Sequence, residues 1–147
     1  MQQSKKSETE QIVQALELLM TKQRALLWLQ AKEHGLSAMQ LQILTMMAKE
    51  EHRIWTLSRV AQELLLTKAT VSQALHTLTY KQLIVRSINE WDGRSQVLSL
   101  STDGRRIAHV SGFYLSSLTQ IIARIPAADR SIMLKNLKGI VNKLEMH

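Results

Sequence analysis

The sequence predicts an α+β fold that is mostly helical, and three observations predict it. One proline and five glycines in 147 residues leave long stretches without breakers. Apolar residues recur at three- and four-residue steps through most of the chain. The period shortens to two only near residues 84–88 and 95–100, on either side of an Asp-Gly turn. The length suits about one domain, and such a chain can bury roughly two thirds of its unfolded surface without a disulfide or metal staple.

The first element is a long helix from Thr9 to about Lys32, where Ile12, Val13, Leu16, Leu19, Met20, Leu26, Leu27 and Trp28 fall mostly at helical spacing. His34-Gly35 ends it, and the polar Met1–Ser7 before it is expected to be disordered. Ser37 followed by Gln40 has the spacing of a capping box, in which hydroxyl and amide each satisfy a backbone N–H. A second helix therefore runs from Ala38 to about Glu50 and buries Leu41, Leu44 and Met47 or their neighbours. Arg53-Ile54-Trp55 is a β-prone run, too short to be more than one arm of a small sheet. Thr56 caps a third helix, Leu57 to Leu64, buried through Leu57, Val60, Ala61 and Leu64. Thr67 caps a fourth, Lys68 to about Lys81, and the tight connection between these two helices makes a helix-turn-helix.

Ile84–Ile88 and Ser95–Leu100 read as strands of a β-hairpin whose turn holds Asp92-Gly93. Ser101-Thr102-Asp103-Gly104 supplies capping hydroxyls and a first-turn acid, starting a helix that continues to Ile125 through Ile107, Val110, Tyr114, Leu118, Ile121 and Ile125. Pro126 breaks it. The tail from Ala127 to Leu144 resumes the stripe with Leu134, Leu137, Val141 and Leu144. No repeat, low-complexity tract or internal linker interrupts the chain, so one domain over 1–147 is expected.

Composition narrows the function. Apolar residues at 45% and charged residues at 21% are ordinary globular usage and argue against wholesale disorder. The absence of cysteine removes thiolate metal sites, cysteine nucleophiles and thiol redox switching. No metalloprotease, nucleophile-elbow, Walker or glycine-rich nucleotide motif occurs, which argues against an enzyme. Histidines 34, 52, 76, 109 and 147 are never three or four apart, so no helix face presents a ready two-histidine ligand set. No secretory h-region or apolar run near 18 residues is visible, making a soluble cytoplasmic protein the expectation. Nineteen Lys+Arg against twelve Asp+Glu give a net charge of +7, which points toward a polyanionic partner. Residues 105–147 carry +5 of it, and residues 37–104 only +1. Yet no acid occurs from Leu64 to Asn89, where Lys68, Lys81 and Arg86 stand.

With Val71, Leu75 and Leu78 as the buried stripe of the fourth helix, the 100° step turns Ala69, Gln73, His76, Thr77 and Tyr80 outward, with Thr70 and Ser72 at the margins. Gln pairs bidentately with adenine, Ser and Thr both donate and accept, and an acid-free helix does not repel phosphates. The same residues would equally make a solvated helix face. At the hairpin tip, Arg94 can reach a narrow minor groove with Asp92 holding its guanidinium, or the triplet is an ordinary turn with a salt bridge. Directly after the helix pair, the hairpin becomes a wing.

In this order of elements the chain resembles the MarR family of bacterial transcription regulators, from about Gly35 to Gly104. T-L-S-R-V-A-Q-E-L over Thr56–Leu64 looks like the family's T-x-x-x-L-A-x-x-L. A-T-V-S-Q-A-L-H-T-L-T-Y-K-Q-L-I-V-R over Ala69–Arg86 is similar to its recognition helix and following strand, and D-G-R-S-Q-V-L-S-L-S-T-D-G over Asp92–Gly104 to its wing and wing-to-helix turn. The ends match by helix layout only. The resemblance implies that Thr70, Ser72 and Gln73 face the major groove and that Asp92 and Arg94 form the wing. It departs at Gln73, where the family commonly has Arg, at His76, where an acid is frequent, and at Gln82, where Gly usually turns the chain out of the helix.

The family layout further implies dimerisation helices at about 8–34 and 102–147 around a winged helix-turn-helix at about 37–104. A two-fold dimer sets two recognition helices about one DNA turn, roughly 34 Å, apart on a near-palindromic operator. Arg105 and Arg106 are either phosphate contacts or solvated surface. Family regulators often bind small phenolic or aromatic acids, for which Trp28, Met46, Met47 and Tyr114 could line a cleft, although such residues are more often core. The expectation is a sequence-specific DNA-binding regulator, a repressor and homodimer that needs no cofactor, with Lys68, Thr70, Ser72, Gln73, His76, Thr77, Arg86, Asp92, Arg94 and Arg105 on double-stranded DNA. The alternative is a winged-helix dimer that serves protein–protein contact, and a non-specific RNA binder comes third.

Overall fold

The computed structural model describes residues 4–88, 90, 93, 96–111 and 113–146, without the side chains of 111 and 113–116. It divides into two compact units, 1–111 and 112–147. The first contains α1 (Glu8–Glu33), α2 (Ala38–Lys49), α3 (Leu57–Leu64), α4 (Lys68–Tyr80), the antiparallel strands β1 (Ile84–Ile88) and β2 (Gln96–Leu100), and α5 (Thr102–Ser111). The second contains α6 (Phe113–Ala123) and α7 (Ala127–Glu145).

Local chemistry sets the boundaries. The Ser37 hydroxyl accepts from the Gln40 amide at 3.1 Å, while the Gln40 side chain accepts from the Ser37 N–H at 3.0 Å, which completes the expected box at the start of α2. Gly35 takes φ +66 in the turn out of α1, a left-handed conformation that glycine adopts without steric cost. Ser7, expected in a disordered end, instead caps α1 in a second box with Glu10. The strands pair Ile84 with Leu100, Arg86 with Leu98 and Ile88 with Gln96. Trp55 makes one isolated antiparallel bridge to Leu98, whose N–H donates to the Trp55 carbonyl at 2.8 Å, so of the β-prone 53–55 run only Trp55 joins the two-stranded sheet.

The core lies where α2, α3, α4, the sheet and α5 meet. Leu41, Ile43, Leu44, Met47, Val60, Val71, Leu75, Leu78 and Ile84 are fully buried, with Ala31 from α1 and Ile107 from α5 at its edge. Leu57 and Leu64 only half-bury against it. The ends behave differently. Ile12, Val13, Leu19, Met20 and Trp28 of α1 are exposed, as are Val110, Ile121, Leu134, Leu137, Val141 and Leu144, which the helical stripe marks as burial positions. The expected helix to Ile125 is present as α5 and α6, ending at Ala123 before Pro126, and Gly112 lies outside the described residues.

Candidate nucleic-acid interface

The turn between α3 and α4 is built by backbone geometry. Thr56 caps α3 by accepting from the Arg59 N–H at 3.2 Å. At its other end Leu65 takes φ 54 and ψ 43, and the Leu66 N–H reaches back to the Ala61 carbonyl at 3.0 Å. A left-handed leucine whose side chain is 88% exposed is a costly way to close a helix, and the turn tolerates it because Thr67 restarts the chain at once. The Thr67 hydroxyl accepts from the Thr70 N–H at 3.2 Å, and the two threonine hydroxyls lie 2.8 Å apart. The Thr70 hydroxyl is therefore oriented before any ligand arrives.

Helix α4 buries Val71, Ala74, Leu75 and Leu78 and presents Lys68, Ala69, Thr70, Ser72, Gln73, His76 and Tyr80 to solvent. Thr77 is half-buried and donates its hydroxyl to the Gln73 carbonyl at 3.3 Å, which makes it a margin residue rather than part of the outer face. The stripe Ala69, Gln73, His76, Tyr80 advances by four, three and four residues and so runs nearly straight along the helix. No carboxylate interrupts it.

Strand β1 carries Arg86 back across α4. Its Nε donates to the Thr79 hydroxyl at 3.2 Å and its Nη1 to the Gln96 side chain at 3.3 Å, holding the guanidinium between helix and sheet. There it helps to line a groove of about 640 Å³ with Thr56, Ser58, Ser72, Ile88 and Gln96. Asp92 and Arg94, the expected wing contacts, lie outside the described residues. Arg105 forms an exposed ion pair with Glu51 beside a small cavity of about 110 Å³ that Met47, Trp55 and Leu98 also line. Arg106 pairs with Asp103 at 3.3 Å.

Three supports escaped the sequence reading. Arg53 bonds Glu50 at the end of α2, reaches Glu63 of α3 at 3.1 Å, and lies 5.2 Å from the Trp55 ring centroid. Its hydrogen bond holds the Glu50 carboxyl below the ordinary value, and Glu50 in return raises the guanidinium. The Lys81 ammonium, just past α4, donates to the Gly35 carbonyl after α1. Ser101 binds the exit of α4. Only Ser101 carries a sequence signal, as a capping hydroxyl; partners 10 and 46 residues apart leave none.

The residues expected around an effector are dispersed in character. Met47 is 1% exposed and belongs to the core, where it also lines the small cavity beside Arg105. Met46 is half-buried against that core. Trp28 is 55% exposed with the Lys32 ammonium 5.1 Å from its ring centroid, and the Tyr114 side chain lies outside the described residues. Among the described residues no group of three His, Asp or Glu side chains could hold a metal ion, and no helix is long and apolar enough to cross a membrane.

Comparison with known proteins agrees with this architecture. Residues 34–95 match the model of the MarR family. No curated protein sequence matches the chain. Among solved structures, Streptococcus pneumoniae FabT in complex with DNA superposes with a TM-score of 0.79 at 23% identity, covering 94% of this chain and 98% of that one. S. aureus MepR in a DNA-binding conformation gives 0.80 at 18% identity, covering 90% and 98%. The transcription regulator MarR from Oenococcus oeni gives 0.71 at 17% identity, covering 89% and 98%. These likenesses establish the winged helix fold.

Proposed function

We propose that this chain, a MarR-family protein over residues 34–95, is a sequence-specific DNA-binding transcriptional repressor that acts as a homodimer. The observation that carries the reading is the outer face of α4: exposed, free of carboxylates, and bearing Thr70, Ser72, Gln73 and His76 on a helix whose start is locked by Thr67. Such a face presents donors and acceptors to base edges without repelling phosphates. Lys68 at the first turn and the wing residues Asp92 and Arg94 supply backbone and minor-groove contacts in this reading. Arg105, which pairs with Glu51 at the surface, adds a phosphate contact in this reading.

Dimerisation is supported by the apolar side chains that α1 and α7 leave exposed. A two-fold pair would place two copies of α4 about one DNA turn, roughly 34 Å, apart on a near-palindromic operator. Release by a small aromatic acid is supported more narrowly, by the open Trp28 ring beside Lys32. Selection of bound fragments from a random duplex library is the test. Recovery of a palindromic motif supports the reading, and recovery of no motif favours a protein-interaction module. On the selected site, Gln73→Ala should cost about 1–3 kcal/mol while leaving random duplex nearly untouched.

A further inference from the structure

The exit of α4, the end of β2 and the start of α5 converge on one serine. Past α4, Gln82 takes φ 61, a left-handed conformation that strains a residue with a side chain. The Gln82 carbonyl accepts from the Ser101 hydroxyl at 2.7 Å, and the next carbonyl, Leu83, accepts from the Ser101 N–H at 3.0 Å. The same hydroxyl accepts from the Gly104 N–H at 3.0 Å, and the Ser101 carbonyl accepts from the Arg105 N–H at 2.9 Å, so Ser101 also caps α5. Gly104 packs so closely that a Cβ there would stand 2.1 Å from the Leu83 carbonyl oxygen. Neither side of this joint can slide without breaking a bond or opening that contact.

We infer that Ser101 is a positioning residue for DNA reading, its hydroxyl locking the exit of α4, the returning strand of the hairpin and the start of α5 into one body; this rests on the DNA-binding reading above. Recognition by a helix and a wing together demands a set angle between them. Gln73 lies nine residues before Gln82, about 13 Å along the helix axis, so a tilt of about 10° at the exit moves it by about 2 Å. That displacement exceeds what a base-edge hydrogen bond tolerates. The Ser101 hydroxyl touches no base in this arrangement; it sets where Gln73 stands.

The test uses the full chain as wild type, Ser101→Ala and Ser101→Thr, with amide hydrogen exchange and fluorescence anisotropy measured well below the melting transition. Ser101→Ala should speed exchange at Leu83 and Gly104 by about tenfold while leaving Ile43 and Leu44 in α2 unchanged. Its affinity for the selected duplex should fall by about tenfold, and that for a scrambled duplex by less than about twofold. Ser101→Thr, which keeps the oxygen, should restore both. Faster exchange with an unchanged ratio of selected to scrambled affinity would make the serine a structural cap only and overturn the inference, as would equal losses on both duplexes or no rescue by threonine. A wild type that selects no duplex refutes the DNA-binding reading itself, before any variant is compared, and the positioning role falls with it.

Discussion

Helices α4 and α7 both carry an apolar stripe at helical spacing, yet they end in opposite circumstances. The 13 residues of α4 bury Val71, Ala74, Leu75 and Leu78, whereas none of the 19 residues of α7 is buried. Helix α1 resembles α7, since only Ala31 of its 26 residues is buried. An amphipathic stripe shows which face seeks cover, and the partner that provides it depends on where the chain goes next. For α4 that partner is the core built by α2, α3 and β1. In α1 and α7 the stripe stays open, which is the physical ground for proposing a second copy.

Substitutions at matched positions put this contrast to the test. The largest effect is expected for Leu78→Ala, which empties a fully buried site and should cost about 3 kcal/mol in urea denaturation. Leu137→Ala in α7, 41% exposed, should cost less than about 1 kcal/mol at low protein concentration, and its cost should grow with concentration if a second copy covers the helix. Equal costs at every concentration would erase the distinction.

Two helical glycines give the next comparison. Gly104→Ala drives a Cβ into the Leu83 backbone and should destabilise by about 2 kcal/mol, while Gly139→Ala, with nothing within 4 Å of its Cβ, should stabilise by about 1 kcal/mol. Thermal unfolding of both variants reads the opposite signs directly. A Gly139→Ala protein that loses stability would mean that α7 is closely packed in solution.

Gln82→Gly is a smaller effect with an informative sign. The left-handed conformation costs a non-glycine residue about 1–2 kcal/mol, and glycine's extra freedom in the unfolded chain costs about 0.5–1 kcal/mol, so the strain term wins. The substitution should raise stability by about 0.5–1 kcal/mol in the same melts. A loss would show that the Gln82 side chain makes a contribution beyond its backbone.

The smallest effect concerns Glu50. Its carboxyl is held low mainly by the Arg53 hydrogen bond, so its contribution is present above the ordinary carboxylate value and disappears as pH falls through the lowered one. Melting temperature measured from about pH 7 down to pH 3 should therefore fall less steeply on the acid side for Glu50→Gln than for wild type. An unchanged acid limb would assign that sensitivity to other carboxylates.

Much of the frame was legible because it is local. Ser37 with Gln40, Thr56 and Thr67 act within four residues of themselves, and each capped its helix where the spacing placed it. The unusual exit at Gln82 was legible too, as a non-glycine residue at a position that the family resemblance gives to glycine, and it adopts the left-handed conformation that this implies. The left-handed Leu65 was not, because leucine carries no turn signal. Arg105 reads from sequence as either a phosphate contact or solvated surface, and its pairing with Glu51 spans 54 positions that no local pattern connects.

The sequence by itself determined the order of elements, the caps, the hairpin and the composition of the outer face of α4, since these follow from periods of 3.6 and 2 and from side chains that reach only their own backbone. Tertiary structure alone decided which charges remain available and which stripes are covered. Arg86 is held between Thr79 and Gln96, Arg105 pairs with Glu51, and Lys81 donates to the Gly35 carbonyl, while Gln73 and His76 are exposed. The physical reason is range: a backbone cap is settled within one helical turn, but an ion pair or a buried face needs two distant segments brought to the same place, and only the folded path does that.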